Sequence, residues 1–331
     1  MGTKQSVFRG RLGRSARAGA IAMVLAIVVG ACGGGDSGGG AVESEDPIKI
    51  TLHDWTGQLL SSNLMAAVLE EAGYNVELVQ ADYLAQFAGL ETGDLTLAME
   101  IWATTGQEAL EASLATGKTL NYGETGMVAR EEWWYPEYMK ERCPGLPDWE
   151  ALKKCSAEFA TAETAPKGRY LGGPVTWGGF DEERVDALGL DFDVVHAGTD
   201  AALFAELEAA YERKDPIMLW IYQPHWAPVK YKGEFVEFPP YSTECYNDPA
   251  SGLTAKAYDC GKPVGPIWKA GWAGIGEKWP RAKTIIESFT LNNDEMGAMV
   301  AKVDLDGETL EAVVDQWMTE NESRWKAWIG A

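Results

Sequence analysis

Positive charge is scarce in this chain, and so are the residue types that carry most metal and nucleophilic chemistry. The sequence has 28 lysines and arginines against 50 aspartates and glutamates, which leaves a formal net charge of −22. An acidic surface repels phosphate groups, so nucleic acid and anionic lipid are disfavoured as partners. With 3 histidines and 5 cysteines, the chain contains no HExxH motif and no phosphate-binding P-loop. These absences disfavour an enzyme, and we predict neither a cofactor nor a metal.

The N-terminus carries the longest apolar stretch. Basic residues precede an apolar segment at 18–31, which is too short to cross a bilayer comfortably, and the glycine-rich tract 33–40 follows it. This order is typical of a bacterial export signal, and the small residues before Cys32 resemble a lipobox. We therefore expect a signal peptide at 1–31, an acylated Cys32 and a flexible tether at 32–47. The mature protein would lie outside the cell membrane, held there only by its lipid.

Four cysteines remain after Cys32, and an even number in an exported protein indicates disulfides. The simplest of the three possible connectivities pairs neighbours in sequence, Cys143 with Cys155 and Cys245 with Cys260. Zinc is the rival explanation, but neither pair has tight CxxC spacing. We therefore expect two disulfides.

Predicted strands and helices alternate along the body of the chain. Residues 48–53 alternate as a strand, and residues 57–72 have apolar side chains at helical spacing before a terminating glycine. The same criteria predict strands at 75–80, 95–101, 169–171, 192–196 and 217–222, and helices at 83–91, 105–115, 181–188, 200–213, 282–290, 294–302 and 308–328. This alternation predicts an α/β fold with mainly parallel sheets flanked by helices.

The length of the body and its two successive α/β series predict two lobes with a ligand-binding cleft between them. We assign residues 48–127 and 266–331 to lobe I, and residues 128–265, with both disulfide-stapled inserts, to lobe II. After residue 266 the chain is expected to turn helical and to pack back on lobe I.

Large aromatic residues stand where the predicted strands end. Trp55 follows the first strand, Trp102 ends another, Trp177 lies in a glycine-rich loop, and Tyr222 ends the strand at 217–222. Since strand ends face the cleft in such a fold, these rings should meet there. Tryptophan is more often a buried structural anchor, but the glycines around Trp177 provide no side chains for a core.

Several aromatic faces around one cavity suit a trimethylammonium group, which has no N–H to donate and is bound through cation–π contacts. A carboxylate on the same ligand could be received by the backbone amides of Gly178 and Gly179 near a predicted helix start. Among the acids close in sequence to these rings, Glu100, Glu131 and Glu132, we expect Glu131 to face the ligand. Surface charge is the simpler explanation for each acid taken singly.

At these residues the chain resembles the substrate-binding proteins of ABC importers for glycine betaine and related solutes. The resemblance runs from residue 48 to the C-terminus and is carried by the segments HDWTGQLL, GLETGDLTLAMEIW, GGPVTWGGF and IMLWIYQPHW. It implies a two-lobed type II periplasmic-binding-protein fold that closes about a hinge, with Trp102, Trp177 and Tyr222 in an aromatic box. Trp55 matches a box position of choline-type members. The implied partners of this expected monomer are a membrane permease and its ATPase.

The sequence leaves the exact ligand open. Gly57 stands where choline-type members tend to carry an acid, and the glutamates around Trp133 are similar to those of members that take trimethylamine N-oxide. We favour glycine betaine, with trimethylamine N-oxide, choline and carnitine as alternatives. A secreted carbohydrate-active enzyme, with sugars stacked on tryptophan between paired carboxylates, is the alternative from another class.

Overall fold

The computed structural model describes residues 43–248, 250 and 252–330. The predicted signal peptide, the lipid attachment at Cys32 and most of the predicted tether lie outside the described residues. The last residues of that tether, 43–47, lie against the body of the protein. The Ser44 amide donates to the Lys278 carbonyl at 3.1 Å, and Trp279 Nε1 donates to the Ser44 carbonyl at 3.0 Å.

The strands form one mixed sheet, in which two groups of parallel strands are joined by antiparallel strands. The strands are β1 (Ile48–Leu52), β2 (Val76–Gln80), β3 (Leu97–Trp102), β4 (Thr119–Pro136), β5 (Gly168–Gly172), β6 (Phe192–His196), β7 (Leu219–Gln223), β8 (Gly233–Phe235) and β9 (Gly265–Trp272). Their order is β2-β1-β3-β9-β4-β7-β5-β6, and β8 pairs with β4. Strands β1 to β3 are parallel, as are β5 to β7, whereas β4 and β9 run antiparallel to their partners.

Helices cover both halves of this sheet. They are α1 (Thr56–Glu71), α2 (Gln86–Thr92), α3 (Gln107–Ala115), α4 (Met139–Arg142), α5 (Leu152–Cys155), α6 (Asp181–Leu188), α7 (Asp200–Arg213), α8 (Ala227–Lys230), α9 (Thr243–Asn247), α10 (Ile275–Lys278), α11 (Pro280–Ser288), α12 (Asn293–Asp304), α13 (Leu310–Glu320) and α14 (Glu322–Ile329). Single 3₁₀ turns lie at Trp149–Ala151, Ser156–Phe159 and Val175–Trp177. In the described part of the chain, no helix is long and apolar enough to span a membrane.

Two of the predicted elements are wrong. The chain does not turn helical directly after residue 266, because β9 occupies Gly265–Trp272 between β3 and β4. A strand with neighbours on both sides has no alternating pattern that would separate it from a buried helix. The helix predicted at 308–328 is two helices, which meet at Asn321. The side chain of Asn321 donates to the Trp317 carbonyl at 3.0 Å and so competes with the helical hydrogen bonds.

The long strand β4 changes partner halfway along its length. Its residues 119–129 pair with β9, and its residues 130–134 pair with β7. It therefore connects the half built on β1 to β3 with the half built on β5 to β7. Ala129 lies opposite Gly265, so β9 returns to the first half where β4 leaves it. The lobe boundaries that we assigned lie beside this exchange and stay a prediction.

A buried ion-pair cluster in the second half fixes the start of α6. Arg184 contacts Glu132 at 2.6 Å and Asp181 at 3.6 Å, and Lys262 Nζ lies 3.5 Å from Asp181. Trp133 Nε1 donates to the same Asp181 carboxylate at 2.8 Å. A buried charge without its partner is strongly destabilising, so the cluster ties β4, α6 and the segment before β9 together.

The predicted disulfides are confirmed. Cys143 and Cys155 are bonded with their Cα atoms 5.4 Å apart, and Cys245 and Cys260 with theirs 6.2 Å apart. Each bond closes a short loop in the second half of the protein and restricts the unfolded chain.

Replacing both Cys143 and Cys155 by serine should lower the free energy of unfolding by about 3 kcal/mol, since the disulfide closes a loop of about a dozen residues. Urea unfolding of the wild type and the double variant, each with and without reductant, measures this loss. The reductant should destabilise the wild type more than the variant. Equal effects of the reductant on both proteins would contradict a stabilising role for this bond.

Candidate ligand-binding site

A cavity lies where strand ends from both halves of the protein meet. Its lining residues are Trp55, Tyr83, Trp102, Thr105, Glu131, Trp177 and Tyr222. Trp55 is the N-cap of α1, Trp102 is the last residue of β3, and Trp177 ends the 3₁₀ turn after β5. The structure thus brings together all four aromatic residues predicted for the site, and Glu131 with them.

The rings stand nearly at right angles to one another, as the walls of a box do. Trp55 and Trp177 have ring centroids 5.5 Å apart with planes at 74°, and Trp102 and Tyr222 are 5.6 Å apart at 86°. Trp177 and Tyr222 link the two pairs, with ring centroids 6.0 Å apart and planes at 84°. Edge-to-face packing is a favourable arrangement of aromatic rings, and it holds each wall in place.

The polar atom of each box ring is hydrogen-bonded to the side chain of an acidic residue. Trp55 Nε1 and Trp102 Nε1 both donate to Glu100 Oε2, each at 3.0 Å. Trp177 Nε1 donates to Asp54 Oδ1 at 2.9 Å. The Tyr222 hydroxyl in turn donates to Asp200 Oδ1 at 2.8 Å. Because these donors are satisfied by protein acceptors, the rings offer a ligand their π-faces and not their N–H or O–H groups.

Glu131 is the acid that faces the cavity. It lies directly opposite Tyr222 in the antiparallel pairing of β4 with β7, so the two side chains are on the same face. It is buried, and its Oε2 atom accepts no hydrogen bond from the described residues. Burial raises the pKa of Glu131 to about 7, although the hydroxyls of Thr104 and Thr105 and the charge of Lys262 act in the opposite direction.

The amides of Gly178 and Gly179 do not line this cavity. The Gly178 amide donates to the Val175 carbonyl at 3.3 Å, within the 3₁₀ turn. Beside Gly179, a Cβ atom would lie 2.5 Å from Asp181 Oδ2. A carboxylate oxygen of Asp181 thus already lies beside Gly179, and it accepts no hydrogen bond from the described residues, so a second carboxylate from a ligand would be repelled there.

Two lining residues were missed by the sequence analysis. Tyr83 was assigned to a helix that begins only at Gln86, and its ring packs edge-on against Trp55 with centroids 5.5 Å apart. Its hydroxyl accepts the Trp102 amide at 2.8 Å. Thr105 follows Trp102 closely in sequence. Both follow strand ends, β2 and β3 respectively, so the rule that selected the four box residues would have reached them too.

Among the described residues, one cluster has a geometry that could hold a metal ion. Asp200, His225 and Asp304 bring ligand atoms within 4.8 Å of one another. His225 Nδ1, however, accepts the Ala227 amide at 3.1 Å, so the neutral ring carries its proton on Nε2. Nε2 lies 3.7 Å from Asp304 Oδ2, and a protonated nitrogen does not bind a metal. The cluster is therefore best described as a polar network of protein groups.

A two-lobed α/β body that encloses a small aromatic cavity between its halves defines an extracytoplasmic solute-binding protein. The chain belongs to the family described as the substrate binding domain of ABC-type glycine betaine transport systems, which it matches over residues 46–320. Members of this family bind a solute for a transporter and are not enzymes. The alternative of a carbohydrate-active enzyme is therefore wrong.

Similar proteins agree with this assignment. A trimethylamine N-oxide-binding protein of Pelagibacter ubique (strain HTCC1062) is 34% identical over 295 residues, which cover 86% of this chain and 91% of that protein. The glycine/betaine/L-proline-binding protein ProX of Borrelia burgdorferi has a TM-score of 0.69 at 17% identity, covering 86% of this chain and 96% of that one. Lactococcal OpuAC, closed on glycine betaine, has a TM-score of 0.67 at 16% identity, covering 86% and 100%. The predicted type II fold is confirmed.

Replacing Trp177 by alanine should weaken ligand binding at least tenfold, because it removes one wall of the box and its contacts with the two box rings Trp55 and Tyr222. Titration calorimetry with the best ligand measures the loss, and circular dichroism checks that the fold persists. Trp328→Ala is the matched control, since Trp328 packs against Trp317 and Phe289 and does not line the cavity. Wild-type affinity in a folded Trp177→Ala protein would remove this residue from the site.

Proposed function

We propose that this protein captures a small trimethylammonium solute in the aromatic box and delivers it to an ABC permease, and that trimethylamine N-oxide is the preferred solute. The observation that carries the choice of ligand is Glu131, a buried carboxyl group with an unsatisfied oxygen at the edge of the box. Glycine betaine, which the sequence favours, is the second candidate.

The box suits the methylated end of such a ligand. A trimethylammonium group spreads its positive charge over methyl groups and offers no N–H, so aromatic faces are its natural partners. Each cation–π contact contributes about 0.5 to 2 kcal/mol, more when the pair is desolvated. Trp55, Trp102, Trp177 and Tyr222 are each less than a tenth exposed, so such contacts would be desolvated. Three or four of them approach the roughly 8 kcal/mol that micromolar binding requires.

Glu131 suits the other end of trimethylamine N-oxide. An N-oxide has one oxygen, which accepts hydrogen bonds, and a protonated carboxyl group can donate one. The pKa of Glu131, raised by burial to about 7, makes the protonated form accessible near neutral pH. A hydrogen bond from the protonated Glu131 carboxyl group to the N-oxide oxygen would give both groups the partner that each lacks.

Glycine betaine makes a greater demand on the same cavity. Its carboxylate has two oxygens and a full negative charge, and burying it requires several donors or a cation. Among the described lining residues there is no lysine or arginine, and the one ionisable acid is Glu131. Choline has a hydroxyl group that would donate to an ionised Glu131, so it should compete best at higher pH.

The relative of known ligand supports trimethylamine N-oxide, and the family supports glycine betaine. The relative that is 34% identical is a trimethylamine N-oxide-binding protein, whereas the family as a whole is described by glycine betaine transport. The partners that we propose are a membrane permease and its ATPase. The protein would act as a monomer, and a lipid on Cys32 would hold it to the outer face of the cell membrane.

A calorimetric panel tests the ligand. Trimethylamine N-oxide should bind more tightly than glycine betaine, choline and carnitine at pH 6.5, because one protonated carboxyl group matches one acceptor oxygen. Neutral sugars should not bind. Tighter binding of glycine betaine would replace the proposed ligand, and absence of binding by all four methylated amines would overturn the proposed function.

The affinity for trimethylamine N-oxide should depend on pH in a predictable direction. The complex needs one proton between the Glu131 carboxyl oxygen and the N-oxide oxygen. The affinity should therefore be constant below the pKa of Glu131, about 7, and fall as the pH rises above it. The limiting slope is about tenfold per pH unit. The affinity for choline should rise over the same range, since ionised Glu131 attracts a cation.

Glu131→Gln separates this titration from others in the protein. The amide N–H of glutamine can donate to the N-oxide at every pH, so the fall in affinity above pH 7 should disappear. Any pH dependence that remains near pH 8 would belong to Asp200 behind Tyr222, whose pKa burial raises to about 8. Glu124→Gln, an exposed position on the same strand, is the control and should keep the wild-type profile. A Glu131→Gln protein that retains the wild-type pH dependence would show that another group carries the proton.

A further inference from the structure

Glu100 is a buried acid that does not line the cavity. It is hydrogen-bonded to two residues that do, Trp55 and Trp102. It lies in β3, where side chains alternate, so it points to the same face as Trp102 two residues later. Its Oε2 atom accepts the N–H groups of both Trp55 and Trp102. Its Oε1 atom accepts the hydroxyl of Ser61, from α1, at 2.6 Å. The side chain is 1% exposed.

The surroundings of Glu100 hold no positive charge. The groups that interact with it are Ser61, Trp55 and Trp102, all of them neutral. In the described part of the chain, no lysine, arginine or histidine forms an ion pair with it. Burial raises its pKa, and the hydrogen bonds of the three neutral partners act in the opposite direction. A buried carboxylate is costly unless a positive charge lies near it.

The missing positive charge would arrive with the ligand. Both indole rings that donate to Glu100 line the cavity, so a cation in the box would lie one ring away from the carboxylate. A hydrogen bond from an indole N–H to an anion also polarises the ring and makes its face more attractive to a cation. The other acids behind the box do not share this position: Asp54 and Asp200 each accept one ring donor.

We propose that Glu100 is the counter-charge for the quaternary nitrogen, acting through the indoles of Trp55 and Trp102, and that it makes the box select cations over neutral groups of the same shape. The inference rests on the proposed function. It assigns Glu100 a positioning and specificity role, distinct from that of Glu131, which faces the polar end of the ligand.

Glu100→Gln removes the charge and keeps the geometry. The amide oxygen of glutamine can accept both indole N–H groups, and its amide nitrogen can donate to the Ser61 hydroxyl. Two ligands of the same shape report the effect: choline, and 3,3-dimethylbutan-1-ol, which has carbon in place of the quaternary nitrogen. Binding of the neutral analogue is measured by displacement of choline.

The expected result is that Glu100→Gln weakens choline and trimethylamine N-oxide at least tenfold and changes the neutral analogue by less than threefold. Glu77→Gln, which removes an exposed charge on β2, should change none of the three. Equal weakening of choline and its neutral analogue would reduce Glu100 to a structural support, and unchanged binding of choline would remove its role. Either outcome overturns the inference. A wild type that binds no methylated amine would instead overturn the proposed function.

A measurement on the wild type alone keeps the inference testable should Glu100→Gln fail to fold. Salt at 1 M reduces the screening length to about 3 Å, which weakens exposed charges and leaves buried ones almost unaffected. The preference for choline over its neutral analogue should therefore change by less than threefold between 0.1 and ~1 M salt. A fall of tenfold or more would assign the preference to the acidic surface and not to Glu100.

Discussion

The site depends on hydrogen bonds between ring donors and acidic side chains that lie behind the walls of the cavity. An indole has one polar group, and burying it without an acceptor costs free energy. Glu100, Asp54 and Asp200 supply those acceptors, so the rings of the box can turn only their faces to the ligand. An apolar, electron-rich surface is thus produced by polar groups, and the edge-to-face contacts between rings follow from the same orientation.

One of these hydrogen bonds, and a second one nearby, also connect the two halves of the protein. Trp177, after β5, donates to Asp54, which precedes α1. Trp226, after β7, donates to Asp304 at the end of α12 at 2.7 Å. Each donor comes from the second half and each acceptor from the first. The box is therefore complete only where the two halves meet, and a ligand that contacts both halves would favour this arrangement by the difference in its contacts.

Local patterns predicted the strand ends and the aromatic residues that follow them, because the position of a ring after a strand is a property of a few consecutive residues. They did not predict β9, whose place between β3 and β4 is set by partners more than a hundred residues away. They also did not show which acid accepts which donor. Glu100 and Glu131 look alike in the sequence, and only the packing separates them: one oxygen of Glu100 accepts two indoles, while Glu131 keeps an unpartnered atom. The same limit applies to Gly178 and Gly179, since only the packing shows that the Asp181 carboxylate lies beside them.

The two buried glutamates divide the recognition of a ligand with two unlike ends. Glu100 has its oxygens occupied and lacks only a positive charge, whereas Glu131 lacks a hydrogen-bond partner. Each deficiency costs free energy in the empty closed protein. A ligand with a methylated, positively charged nitrogen and a single polar oxygen relieves both, while a ligand with only one of these ends leaves the other cost in place. Selectivity then follows from the missing positive charge near Glu100 and the missing hydrogen-bond partner of Glu131. It does not require the box to fit one methylated amine more tightly than another.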